Sequence, residues 1–162
     1  MALGAIETAT AALELAKGVY GVAKGSRSNQ RLARPVVRAL REIYFTPRGT
    51  LRILAVLADG GIPDPDDLQD ILIDFNDHQW RVERHLDVID FERSDGRGLS
   101  LRQRRTLTEI AYGKRNLRRE LQECFNVPNP GTRPIEPRQA KKLLEQVMAL
   151  NTCIEQLEEE LL

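Results

Sequence analysis

From Ala140 the apolar positions run Leu143, Val147, Leu150, Ile154, Leu157 and Leu161, alternating steps of three and four. That spacing is one face of a long α-helix. A similar seam runs through Leu68, Leu72, Phe75, Val82, Leu86 and Ile89, with Gln79 in its one gap. "DPDD" opens it: Asp64 can cap, Pro65 suits the first helical position, and Asp66 and Asp67 meet the positive helix end. "SDGRG" closes it. Ser100 and Gln103 then have capping-box spacing for a helix that carries Leu107, Ile110, Leu117, Leu121 and Cys124, with Lys114 in the gap. "NVPNPGTRPIEP", with four prolines, is a stiff connector to the last helix.

Three shorter helices precede these. The first runs to about Lys24, where "GSRSN" breaks it, and the second spans about Asn29–Tyr44, starting or kinking at Pro35. The third has Thr46 as N-cap and Pro47 at its first position, and ends at "DGG", residues 59–61. No stretch alternates with period two. The pattern predicts an all-α fold: an antiparallel helical bundle of about six helices, three of them long, in one domain spanning 1–162. Because the last seam still runs at "EEELL", two readings stand, a bundle that ends flush and the N-terminal domain of a longer protein.

The first helix has two stripes. Ala2, Ile6, Ala9, Leu13, Ala16, Tyr20 and Ala23 form a small-residue core face. Opposite lie Gly4, Glu7, Ala11, Glu14, Gly18, Gly21 and Gly25. Glycine inside a helix costs about 0.5–1 kcal/mol against alanine, so these glycines need a reason. One is tight clamping in the bundle. The other is close approach of a second copy, as small-residue faces permit.

Charge changes the picture further. The net charge is zero, yet residues 26–52 carry seven arginines against one acid, and residues 64–92 carry ten acids against two arginines. Arg27, Arg31, Arg34, Arg38 and Arg41 make an unbroken row, with Leu32, Val36, Leu40 and Ile43 on the other side of the helix. Such a row can lie against the acidic fourth helix, or bind the phosphates of an anionic lipid surface or a nucleic acid. Zero net charge and the lack of interleaved aromatics make nucleic acid the weakest of these. Ile73, Trp80, Val88 and Phe91 fall off the main seam of the fourth helix, where either the shorter helices or a partner would cover them.

"AIETATAALELAKGVYGVAKG" followed by "RLARPVVRAL" resembles the start of HeLo and SesA-type helical domains, which are similar in plan to RPW8 and mixed-lineage-kinase-like bundles. The resemblance covers about the first 45 residues. It implies a non-enzymatic bundle in immune or cell-death signalling that self-associates and exposes its first helix to act on a membrane. Residues 1–25 would then be the effector element, with Glu7 and Glu14 lining an assembled pore.

No catalytic constellation is present. Arg81 and His85 in "WRVERH" lack the spacing of helical ribonucleases of the HEPN class, and His78 and His85 are too far apart in sequence to chelate a metal from one helix turn. Cys124 and Cys153 have no CxxC spacing and read as reduced core thiols. The expectation is therefore a cytoplasmic protein with no enzymatic activity, cofactor or metal, whose partner is a second copy, another protein or an anionic membrane. Against the effector reading stand an adaptor or scaffold that binds a partner protein through charged helix faces, and a nucleic-acid-associated protein.

Overall fold

A computed structural model describes residues 2–79, 85–95, 98–125 and 134–162; of residues 2, 3, 73–79, 94 and 95 it describes the backbone alone. Among the described residues the chain is all-α. The helices are α1 (Ala2–Ala23), α2 (Arg27–Tyr44), α3 (Arg48–Ala58), α4 (Pro65–Gln79), α5 (Ile89–Asp95), α6 (Leu101–Ala111), α7 (Leu117–Phe125) and α8 (Pro137–Leu161).

The local signals that end helices are used as written in several places. Ser26 caps α2 by accepting from Asn29 N–H, and Asp64 accepts from Asp66 N–H at 2.8 Å ahead of α4. Helix α2 already begins at Arg27 and contains Pro35 in its interior, so it does not start there. Ser100 and Gln103 form the full capping box on α6. Thr46 is the exception. Helix α3 begins one residue later, behind Pro47, and has no side-chain cap. The Thr46 backbone is instead gripped by the Asn151 side chain, which accepts from its N–H at 2.9 Å and donates to its carbonyl at 2.8 Å. Asn151 is buried on α8, so this pair satisfies two main-chain groups that water cannot reach.

Two seams that looked continuous are broken. After Ala111 the chain turns at Gly113, whose φ is +66°, and Lys114 N–H bonds the Glu109 carbonyl while Gly113 N–H bonds that of Ile110. This is a Schellman stop, and Asn116 then restarts the chain by accepting from Arg118 N–H and Arg119 N–H. The fourth helix is described as far as Gln79; His85 lies outside any helix, and a single 3-10 turn, Leu86–Val88, leads into α5. Leu86, expected in the seam, is 53% exposed, whereas Val88 and Phe91 are fully buried. The break rotates the apolar face. Phe75, Gln79 and Val82, which also belonged to that seam, lie outside the described side chains.

Helix α8 is the spine and packs on α1, α2 and α3. All seven residues of its seam are buried. Along α1, Thr10 reaches Gln146 and Tyr20 reaches Glu160, so α1 and α8 run in the same direction. Along α2, Arg34 meets Leu161, Arg41 meets Glu158 and Thr46 meets Asn151, so α2 runs against α8. The bundle is thus only partly antiparallel.

Helix α1 is the hub, with α2, α6, α7 and α8 all packed on it. Ala5, Ile6, Thr8, Ala9, Ala11, Ala12, Leu13, Leu15, Ala16, Val19 and Ala23 are buried. Interhelical distances of about 8–10 Å on several sides at once require short side chains, which accounts for its alanine-rich composition.

Candidate interaction surfaces

The second stripe of α1 does not form one open face. Ala11 is buried, and Glu14 is half-buried with its carboxylate 3.4 Å from Arg102 of α6. Gly18 lies beneath the Gln103 side chain. A Cβ there would come within 2.7 Å of the Gln103 amide. That amide accepts from Ser100 N–H through Oε1 and donates through Nε2 to the Glu14 carbonyl at 3.0 Å. The capping box of α6 is therefore also the clasp between α6 and α1, and glycine leaves room for it. Gly25 belongs to the turn into α2, close to the Asn29 amide. Only Gly4 and Gly21 have open space beside them, and Glu7 is exposed.

The arginine row divides as well. Arg41 pairs with Glu158 at 2.9 Å and lies over the Phe45 ring, and Arg34 donates to the Leu161 carbonyl at the end of α8. A guanidinium at a helix C-terminus satisfies a carbonyl that has no intrahelical donor and faces the negative end of the dipole. Both partners lie on α8, and among the described residues no arginine of the row pairs with an acid of the fourth helix. Arg27, Arg31 and Arg38 are exposed and have no ion-pair partner among the described residues.

Of the four residues off the main seam of the fourth helix, the two with described side chains are covered by the bundle itself. Val88 and Phe91 sit in the core, packed where the 3-10 turn and α5 meet α2 and α6. The Ile73 side chain and Trp80 lie outside the described residues. Cys124 is buried and Cys153 half-buried, and burial pushes both thiols up from their ordinary range, which disfavours the reactive thiolate.

Two surfaces escaped the sequence reading. Between α3 and the start of α4 lies an open groove of about 450 Å³, floored by Ile53 and Ile71 and edged by Val56, Ile62 and three aspartates, Asp64, Asp67 and Asp70. At the start of α6, Leu101 is 84% exposed and stands among Arg102, Arg104 and Arg105 around a shallow hollow. Ile62 and Leu101 each stand outside any seam, so the periodicity that locates core residues passes over them.

No group of His, Cys, Asp or Glu suited to a metal occurs among the described residues, and no helix among them is long and apolar enough to cross a membrane. Compared with known proteins, the chain matches no family model, no curated protein and no solved structure.

Proposed function

We propose that this chain is a non-enzymatic interaction bundle, an adaptor or scaffold that binds an acidic protein partner through α2. The observation that carries the reading is the split arginine row: Arg34 and Arg41 fasten α2 to α8, while Arg27, Arg31 and Arg38 project from the same rigid helix with no described partner. Fixed charges on an anchored helix lose little entropy on binding, and they steer an oppositely charged surface into place.

The effector reading asks α1 to leave the bundle. Ile6, Leu13, Leu15 and Val19 are buried, and each such side chain contributes about 1.5–3 kcal/mol. Together they amount to about 6–12 kcal/mol, comparable to the whole stability of a typical domain. Releasing α1 from a monomer is then equivalent to unfolding it, which counts against that reading.

The test is fluorescence anisotropy with three labelled probes: a glutamate-rich helical peptide, vesicles of anionic lipid, and single-stranded RNA. Salt-sensitive binding of the peptide is expected, lost at least tenfold in Arg31→Glu/Arg38→Glu with no change in melting temperature. Vesicle leakage by the folded protein would restore the effector reading. RNA binding stronger than peptide binding would turn the row over to nucleic acid.

A further inference from the structure

An isolated exposed leucine is ordinary on a protein surface. Leu101 is less ordinary because of what surrounds it and because of what the same chain carries elsewhere. It is the most exposed large apolar side chain among the described residues, and Arg102 and Arg105 flank it, 67% and 84% exposed. Their ion pairs with Glu14 and Glu109, at 3.4 and 3.8 Å, are long and solvated, so both guanidinium groups remain available to a stronger partner. One acid, Glu92, also lines the hollow beside Leu101, which leaves it net positive; the groove between α3 and α4 is net negative. Its rim exposes Val56 and Ile62, and it holds three aspartates against one arginine, Arg52.

Within one chain the two features sit on different parts of the bundle. Helix α6 packs on α1 and α5, whereas α3 and α4 pack on each other and on α8 and α7. We propose that the groove takes the Leu101 end of α6 from a second copy of this chain, with Leu101 against Val56 and Ile62 and with Arg102 and Arg105 facing Asp64, Asp67 and Asp70. Knob and groove are different surfaces, so the contact is head-to-tail. Each copy that offers its knob leaves its own groove free, and assembly proceeds beyond a dimer unless the rotation closes a ring. The contact is small, which makes it weak and dependent on concentration, and its charged rim makes it sensitive to salt. The proposal deepens the reading above by adding a second copy as a protein partner, and it uses a surface distinct from the α2 row.

The experiment is sedimentation velocity over a concentration series at low and high salt. The proteins are the wild-type chain, Leu101→Asp, Ile62→Asp, and an equimolar mixture of the two variants. Both substituted positions are exposed, and melting temperatures check that the fold is kept; if Ile62→Asp is destabilised, Asp67→Arg/Asp70→Arg replaces it. The wild type is expected to form species larger than a dimer at low salt and to dissociate at high salt. Each variant alone should stay monomeric. The mixture should form a 1:1 dimer and nothing larger, because it holds one working knob and one working groove. A monomeric wild type across the series, association that survives both substitutions, or a mixture that stays monomeric would each overturn the proposal. The Arg31/Arg38 peptide assay is read separately. Peptide binding by a monomeric wild type would remove this proposal and leave the function above, and head-to-tail assembly without peptide binding would do the reverse.

Discussion

Alanine at Gly18 and alanine at Gly21 should move stability in opposite directions, although both glycines lie on the same helix three residues apart. On propensity alone, each substitution should stabilise the helix by about 0.5–1 kcal/mol. Gly21 has nothing within 4 Å of where a Cβ would stand, so the gain survives. At Gly18 the new methyl would lie 2.7 Å from Gln103 Cδ. Comfortable carbon–carbon contact begins near 3.5 Å, so the amide must retreat by roughly 1 Å. A glutamine tip can move that far, but this one is held by Ser100 N–H at 2.8 Å and by the Glu14 carbonyl at 3.0 Å. Losing both bonds costs about 1–3 kcal/mol, at about 0.5–1.5 kcal/mol each. After the propensity gain, Gly18→Ala should destabilise by about 1 kcal/mol, within a span of about 0–2.5 kcal/mol. In a chain of this length about 1 kcal/mol corresponds to ~2–4 °C, so its melting temperature should fall by a few degrees while that of Gly21→Ala rises by a few. Thermal unfolding followed by circular dichroism measures both. In a Gln103→Ala background the Gly18→Ala penalty should vanish, since the group it displaces is gone. If Gly18→Ala proves as stabilising as Gly21→Ala, the clasp between α6 and α1 is not holding the bundle together.

Asn151→Leu should cost about 2–6 kcal/mol, because it strands the buried N–H and carbonyl of Thr46 at about 1–3 kcal/mol each; denaturant unfolding measures it, and a loss under 1 kcal/mol would mean water replaces the amide. Glu120 is half-buried, with one carboxylate oxygen lacking a partner, and burial raises its pKa above the ordinary 4.5 despite the opposing pull of Thr8 and Arg115. A carboxyl raised in the folded state holds its proton longer than in the unfolded chain, so stability should decline as pH climbs from about 4.5 through the raised value. Glu120→Gln should flatten that slope and leave the protein more stable at neutral pH, as a chemical-denaturation series against pH would record. An unchanged slope would show that Glu120 reaches solvent.

The parts of the fold that were legible in the sequence are those decided within one or two helical turns. The α8 seam, the capping box at Ser100 and the Asp64 start all depend on neighbours a few residues away. The two broken helices were missed for a common reason. Ile110 and Leu117 are seven apart, a spacing that one helix and two helices separated by a Gly113 turn satisfy equally well. Leu86 continued a periodic series, yet it lies in a 3-10 turn and not in the fourth helix. The surroundings of α1 were illegible for a different reason. Alanine and glycine fit both a solvent face and a tight helix contact, and only the approach of Gln103 from α6 distinguishes Gly18 from Gly21. Likewise the arginine row was visible, but the two members that α8 would claim were not.

The pairing of α1 with α8 also governs how the chain must fold as it is made. More than a hundred residues separate the two helices, and the alanine-rich hub has no spine to pack on until α8 has left the ribosome. At ~5–20 residues per second, α1 waits roughly 7–30 s in the nascent chain with its α8-facing side uncovered. Contacts between such distant segments also slow the final collapse. A message cut short before α8 would therefore leave α1 only α2, α6 and α7 to bury against, with the side that the spine covers open to water.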